Sequence, residues 1–536
     1  MSHGFSEEFI RFLKQPESYP HKPDNVEHIQ THISHVFIAP PYVYKFKKQV
    51  NFEFLDFSSL DKRKHYCEQE VRLNQRMCGD TYIDVVPVYK TGDTWTFDES
   101  AGQQPFEYAV WMKQLSGKDF LIEDVRNGTL SLSQIDRVIS KLVPFYEQQS
   151  PETNVLEWGS PEKIKINTDE NFEQTKAFIG DSIDGAAYNT IQTFTGRYLN
   201  QYQSLFEKRI SQGRIVDGHG DLHLEHIHLT KNRVCIYDCI EFNDRFRYLD
   251  IASDIAFLAM DLDFNGYKNE SNYLVQQMSD KLDDPGLMRL ADFYKCYRAY
   301  IRGKVKSMES REEEVGATGR KQASRLARNY FSLALKYAVT GSKPTILVFM
   351  GRIASGKSTL AEEVAARLDI EHFSSDVIRK ESAGLPIDVR TPSEKRKDLY
   401  HKESTIKTYE AMFTKAKNDV GKGKNVVLDA TFGKRNLREQ LLSFFDDTES
   451  TIRFIEAQAP EEVRKKRLAK RSDKNKIISD ARLEDFEMLN QNYEEPSDGE
   501  LTERIHIDSD QPIEKNLHEI FLKLSDLQHF RQKSQE

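Results

Sequence analysis

The sequence predicts two domains of different fold. An α+β segment covers residues 1–340, and an α/β segment with a parallel sheet covers 341–536. The apolar run Ile346-Leu347-Val348-Phe349-Met350 leads straight into Gly351-x4-Gly356-Lys357-Ser358, a strand followed by a phosphate-binding loop. Beyond that loop, strand-like and helical runs alternate, as a parallel sheet requires. Before residue 340, strand signals come first and helical periodicity dominates from Ser131 onward, the order of an α+β domain.

A chain of 536 residues can bury two cores. Charged residues make up 30% and AVILMFWYC 38%, so a solvated surface and sizeable cores are both accommodated. The net charge of −9 argues against broad nucleic-acid binding while leaving room for a local basic cleft. No apolar run is long enough to span a membrane, and the first residues lack a signal-peptide core, so no membrane partner is expected. Cys67, Cys78, Cys235, Cys239 and Cys296 are scattered and odd in number. Cys235 and Cys239 would share a strand face, but no second pair completes a zinc site. Buried structural thiols in a reducing cytoplasm are expected.

In the first segment, Val36–Ala39 and Tyr42–Phe46 read as a hairpin broken by Pro40-Pro41, because prolines cannot donate to a ladder. Leu60–Met77 reads as a charged helix, and Tyr82–Val88 and Phe106–Leu115 as further strands. Ile135, Val138, Ile139, Leu142 and Tyr146 fall on one helical face, with Ser131 or Ser133 as N-cap. Helices are expected at Phe172–Ile179, Ile191–Gln212, Met288–Val305 and Lys321–Ala338. The boundary falls at Gly341-Ser342-Lys343-Pro344, where glycine and proline end a helix.

In the second segment, strands are expected at Ile370–Phe373, Asn425–Leu428, Ile452–Ala457 and Arg504–Ile507. A long helix is expected over Glu394–Ala416, and a basic one to Arg471 after Pro460. In such sheets ligands bind beyond the carboxyl ends of the strands. Two acidic residues, Asp376 and Asp429, follow strands at that edge.

The loop's chemistry assigns its residues. Gly351, Ser355, Gly356 and Thr359 belong to the backbone cradle around the phosphates of ATP, Lys357 supplies a mobile cation, and the Ser358 hydroxyl ligates Mg2+. Asp429 reads as a Walker-B-like carboxylate near Mg2+ or as a strand-end cap of the Thr431–Asn436 turn. Arg464, Arg467 and Arg471, at helical spacing, read as a lid over the transferring phosphates or as a solvated basic face. Arg435 and Arg438 lie within reach of an acceptor site in this reading.

Ser375-Asp376-Val377-Ile378-Arg379 resembles the acceptor segment of small P-loop kinases of the polynucleotide kinase, zeta-toxin, gluconate kinase and chloramphenicol phosphotransferase types. The resemblance implies that Asp376 deprotonates an acceptor hydroxyl and that Arg379 contacts an acceptor phosphate or carboxylate. Asp376 also reads as a helix N-cap.

Upstream, His219-Gly220-Asp221-Leu222-His223, the strand ending at Asp238, and Asp250-x3-Asp254 resemble the aminoglycoside phosphotransferase group of kinase-like folds. That resemblance implies Asp221 as the base, Asp238 as a Mg2+ ligand, and Lys45 on the α/β phosphates with Glu70 as its partner (Glu68 the fallback). The kinase-like pattern has asparagine five residues after the catalytic aspartate, and this chain has His226. Imidazole favours Mn2+ or zinc over Mg2+. Glu225 and Glu241 are candidates to compensate, and no convergent zinc geometry is expected from His223 and His228. With both halves in this order, the chain resembles the bacterial bifunctional aminoglycoside phosphotransferase-like/ATP-binding fusion family.

The leading expectation is an ATP-dependent kinase acting on a hydroxyl of a small-molecule or nucleotide-containing acceptor. An RNA- or DNA-end kinase is the second reading. A nucleotide-gated regulator with a degenerate N-terminal sensor is the third.

Overall fold

The computed structural model describes residues 5–52, 54–99, 104–471, 478–497, 499–501 and 503–530. Packing divides the chain into two units. Met1–Ile164 and Gln203–Ala291 form the first; Lys165–Tyr202 and Asp292–Glu536 form the second.

The first unit carries a six-stranded antiparallel sheet in the order Glu27–Gln30, Ser34–Ala39, Tyr42–Lys47, Pro105–Lys113, Tyr82–Thr91, Thr94–Thr96. Pro40-Pro41 forms the turn between the paired ends Ala39 and Tyr42, so neither proline costs a ladder bond. Strand alternation sorts the side chains to two faces. Phe37, Tyr44, Phe46 and Ala109 pack with Phe9 and Leu13 of the helix Glu7–Leu13, which sequence periodicity did not reveal. Val110 and Met112 turn to the other face, toward Cys67 of the helix Leu60–Cys78. That helix starts at Ser59, whose hydroxyl accepts from the Lys62 amide, and it buries Cys67, Glu70, Leu73, Asn74 and Met77 along one stripe. The expected cap at Ser131 is present as a reciprocal pair with Gln134.

Besides the small pair Asn51–Phe52 with Leu55–Asp56, two short antiparallel pairs frame the His-Gly-Asp loop. Ile215–Asp217 pairs with Tyr248–Asp250, and Ile227–Thr230 with Arg233–Ile236. The helix Ile251–Phe264, buried over most of its length, packs beneath the loop between the first strands of these pairs. This is the α+β kinase-like fold the motifs imply: an antiparallel sheet with one crossing helix, then a helical part holding the His-Gly-Asp loop.

One pair of cysteines departs from the expected buried thiols. Cys78 and Cys235 form a disulfide, while Cys67, Cys239 and Cys296 are free and buried. The end of the helix Leu60–Cys78 meets the strand Arg233–Ile236 with the two Cα atoms 4.4 Å apart, a proximity that a separation of 157 residues conceals. The strand ends at Ile236, so Cys239 does not share its face.

The second unit contains a five-stranded, all-parallel sheet in the order Glu371–Ser374, Val426–Asp429, Thr345–Met350, Thr451–Gln458, Ile505–Asp508. All six residues of Thr345–Met350 are buried, as a central parallel strand demands. Ile346, Val348, Val426, Leu428 and Phe454 pack with Tyr409, Met412 and Phe413. These last three belong to the helix Lys402–Val420. The long helix expected over Glu394–Ala416 is two helices, Ser393–Leu399 and Lys402–Val420. At the break, Tyr400 places its ring over Arg379 and gives its hydroxyl to Asp480. The helices Gly185–Gln201 and Ala317–Thr340 also pack in this unit, through Thr190 on His518, Arg197 on Asp526, and Thr340 on Asn425. The second unit is an α/β P-loop kinase fold with added helices.

Candidate active sites

Register places the P-loop and two carboxylate positions at one edge. Asp429 is paired with Phe349 on one side and with Ser374 on the other. Because the strands are parallel, Gly351 and Asp376, two residues beyond those partners, leave the sheet at the same edge. The loop needs its glycines. Gly351 has φ 142°, and a Cβ there would lie 2.5 Å from the Ala457 carbonyl oxygen. Gly356, at φ 95°, precedes the helix Lys357–Leu368, and the first amides of a helix lack intrahelical acceptors, which suits phosphate oxygens.

Lys357 Nζ lies 3.2 Å from Asp429 Oδ1 and 3.2 Å from the Ser358 hydroxyl. His372 Nε2 is 3.7 Å from Asp429 Oδ2. Asp429 is only 2% exposed. Burial alone would raise its pKa, but the Lys357 ammonium, His372 and Ser358 outweigh it and hold the carboxyl down at about 2. The Ser355 hydroxyl is buried with no partner among the described residues, directed neither to solvent nor to a neighbouring acceptor. A cation, a hydroxyl and an ionised carboxylate gathered at a helix N-terminus suit Mg2+ and nucleotide phosphates.

Ser374 occupies the N-cap position of the helix Ser375–Ser382, so Asp376 sits inside the first turn and does not cap it. Its carboxylate makes no hydrogen bond among the described residues. Arg379, by contrast, is buried and committed: Nη1 donates to the Leu399 carbonyl and to Thr405 Oγ1, both at 3.2 Å, and the guanidinium stacks on Tyr400. Arg464 donates to Asn490 Oδ1 at 2.9 Å and stacks on Phe486. Arg467 reaches the loop itself, through the Ala354 carbonyl at 3.4 Å and Ser509 Oγ at 3.0 Å. Arg471 ends its helix, and its side chain lies outside the described residues. Arg438 is buried against Glu500 and the Phe432 carbonyl, and Arg435 pairs with Glu439, so both are engaged within the fold.

In the first unit, strand and helix bring Lys45 between two carboxylates, Glu70 Oε1 and Asp238 Oδ1, each at 2.8 Å. Glu70 is therefore the partner and Glu68 is not; Glu68 is exposed beside Lys64. Lys47, fully buried one alternation further along the strand, holds Glu70 Oε2 at 2.8 Å and Glu241. Burial penalises the charged forms of Glu70 and Asp238, but the adjacent lysines win and hold both below the ordinary carboxylate range. Glu241 is taken by Lys47 and Glu225 lies near Arg126, so neither turns to Asp238 to stand in for the missing asparagine.

The His-Gly-Asp loop hangs on Asp254. Its Oδ2 accepts from the His219 amide at 2.7 Å and its Oδ1 from the Gly220 amide at 2.9 Å. Asp250 caps the same helix and pairs with the buried Arg209. Arg76 adds donors to the Asp217 and Gly218 carbonyls, and Asn74 Oδ1 accepts from the Cys239 amide. The roles of Lys47, Arg76, Asn74 and His372 carry no local motif; the alternation Lys45-x-Lys47 is the one signal that could have suggested Lys47.

Two of the loop histidines converge, His223 and His226, a pair that the expectation for His223 and His228 did not address. Asp221, His223 and His226 offer ligand atoms that all lie within 4.8 Å of one another. The turn Leu224–His226 folds residue 226 back onto Asp221, which strand alternation did not anticipate. His228 faces away, against Phe120.

Residues 346–496 match the family model described as AAA domain (AAA_33). An uncharacterized protein of Mycobacterium tuberculosis, Rv2004c, is 28% identical over 455 residues, covering 85% of this chain and 87% of that protein. Among solved structures, a gluconokinase from Sinorhizobium meliloti is 19% identical with a TM-score of 0.26, covering 35% of this chain and 94% of its own. The GDP complex of aminoglycoside 2'-phosphotransferase-IIIa is 12% identical with a TM-score of 0.39, covering 61% of this chain and 99% of its own. That match is confined to residues 346–496, so the likeness to the AAA domain family is one of the C-terminal region.

Proposed function

We propose that the P-loop site transfers the γ-phosphoryl group of ATP to a hydroxyl of a small-molecule or nucleotide-containing acceptor. The observation that carries this reading is the ionised Asp429 set 3.2 Å from Lys357 at the strand edge from which Asp376 emerges. Ser358 and Asp429 would hold Mg2+, which neutralises phosphate charge when bound. Lys357 and the loop amides bind the phosphate oxygens, and Arg467 braces the loop. Asp376 takes the proton of the acceptor hydroxyl, whose oxygen attacks the γ-phosphorus as the bond to the β–γ bridging oxygen breaks and ADP leaves. Arg379, being engaged by Leu399, Thr405 and Tyr400, is assigned to orienting this helix rather than to gripping an acceptor.

In the first unit we propose a second kinase-like nucleotide site, with Lys45 on the phosphates and Glu70 and Asp238 fixing it. The segments 1–340 and 341–536 would then be the two modules of a bifunctional fusion protein. ATP use favours a cytoplasmic location; the Cys78–Cys235 disulfide is the feature that runs against it.

One observation favours the nucleic-acid-end kinase as a second reading. Arg311, Arg320, Lys321, Arg325 and Arg328 line one cavity of about 610 Å3 in the second unit, a local basic surface on an acidic chain. Incubating the full chain with γ-labelled ATP and, separately, metabolite and RNA extracts tests the choice. Label in a small molecule that is lost with Lys357→Ala supports the leading reading, label on RNA ends supports the second, and label unaffected by Lys357→Ala rejects the P-loop site as the catalyst.

A further inference from the structure

We propose that Asp221, His223 and His226, together with Asp238, form a site for a divalent transition ion of the Zn2+ or Mn2+ kind, rather than for Mg2+. It stands independently of the P-loop reading, because every residue lies in the first unit.

Asp221, His223 and His226 lie together, and Asp238 stands beside His226. Asp221 Oδ2 is 3.5 Å from His223 Nε2 and 3.6 Å from His226 Nδ1. His226 Nδ1 is also 2.9 Å from the Asp221 carbonyl oxygen. A carbonyl can only accept, so Nδ1 carries the proton and Nε2 keeps its lone pair. That Nε2 lies 3.6 Å from Asp238 Oδ2, while the other oxygen of Asp238 is held by Lys45. A ligating imidazole is typically fixed in this way, by its other nitrogen donating to a carbonyl.

Nearby His219 shows what a structural histidine looks like here. Its Nε2 meets the Tyr237 carbonyl at 2.9 Å and its Nδ1 accepts from the Asp221 amide, so both nitrogens are satisfied. His223 differs. It is 97% buried, its Nε2 faces Asp221, and its Nδ1 has no hydrogen-bond partner among the described residues. With no acceptor or donor fixing Nδ1, that nitrogen can carry the proton and leave the Nε2 lone pair directed toward Asp221. Two imidazoles and two carboxylates form a donor set that suits zinc or manganese, whereas Mg2+ keeps to oxygen and water. The two carboxylates also balance the charge of a divalent ion. An ion seated there makes Asp221 a ligand, so this carboxylate would act as a base only in the ion-free state.

The test uses metal-stripped, nucleotide-free full-length protein titrated calorimetrically with Zn2+, Mn2+ and Mg2+, and with Co2+ as an optical probe. Zn2+ should bind at one site at least about 100-fold more tightly than Mg2+. His223→Ala and His226→Ala should each weaken it by at least the roughly 10–100-fold that loss of even an outer-shell partner costs. Lys357→Ala should leave it unchanged. Should the alanine variants fail to fold, His226→Cys supplies the check: a thiolate ligates Zn2+ and Co2+, so a cobalt–thiolate charge-transfer band should appear. Equal affinity for Zn2+ and Mg2+, unaltered Zn2+ binding in folded alanine variants, or a folded His226→Cys protein without that band would overturn the site.

Discussion

Lys357 Nζ and Asp429 Oδ1 lie 3.2 Å apart at the carboxyl edge of the parallel sheet. The P-loop cation and the strand-end carboxylate thus hold each other in place, and the carboxylate stays ionised at neutral pH. Lys357→Ala should lower C-terminal phosphoryl transfer by roughly 10²-fold or more, the scale of losing one preorganised charge contact. The change also leaves a buried carboxylate with fewer partners, a cost on the order of 1–3 kcal/mol. Steady-state kinetics alongside urea unfolding checks both, and unchanged turnover would remove the lysine from the mechanism.

Asp376 lies in the first turn of its helix with Ser374 at the cap position, so its carboxylate is not needed to start the helix. As the base, Asp376→Asn should cut phosphoryl transfer by roughly 10²–10⁴-fold with little change in nucleotide affinity. A near-normal rate, measured with ATP affinity unchanged, would return Asp376 to a structural role.

Asp254 accepts the amides of both His219 and Gly220. Asp254→Ala would strand two buried donors, each costing about 1–3 kcal/mol. Amide exchange at His219 and Gly220 should quicken sharply, while Asp254→Asn, which keeps one acceptor, should show a smaller effect. Exchange rates at wild-type levels in the alanine variant would show that other contacts hold the loop.

His35 is buried in the first unit, beside His28 and Lys48, and burial first, then the lysine charge, lowers its pKa to about 4. Its unfolded-state value is near 6.5, so between these values the unfolded chain binds the proton more readily. Stability of this unit should therefore be unaffected by His35 above about pH 6.5 and should fall as pH drops toward 4. His35→Gln should flatten that slope in thermal melts taken from pH 7.5 to 5. An identical slope in the variant would assign the acid sensitivity elsewhere.

By itself, the sequence determined the elements whose chemistry is local. A P-loop is a run of backbone conformations with one lysine and one hydroxyl, so Gly351 through Thr359 could be assigned from adjacent residues. Lys45 was likewise singled out by its order with the His-Gly-Asp loop and Asp238, and strand ends located Asp429. Tertiary structure alone decided the relationships between distant segments. It chose Glu70 over Glu68, because helix rotation against a sheet is set by packing. It committed Arg379 to Tyr400 and Leu399, paired Cys78 with Cys235, and broke the helix at Tyr400. It also folded His226 back beside Asp221 and His223. Each of these depends on which surfaces exclude water together, and residue spacing along the chain does not encode that distance.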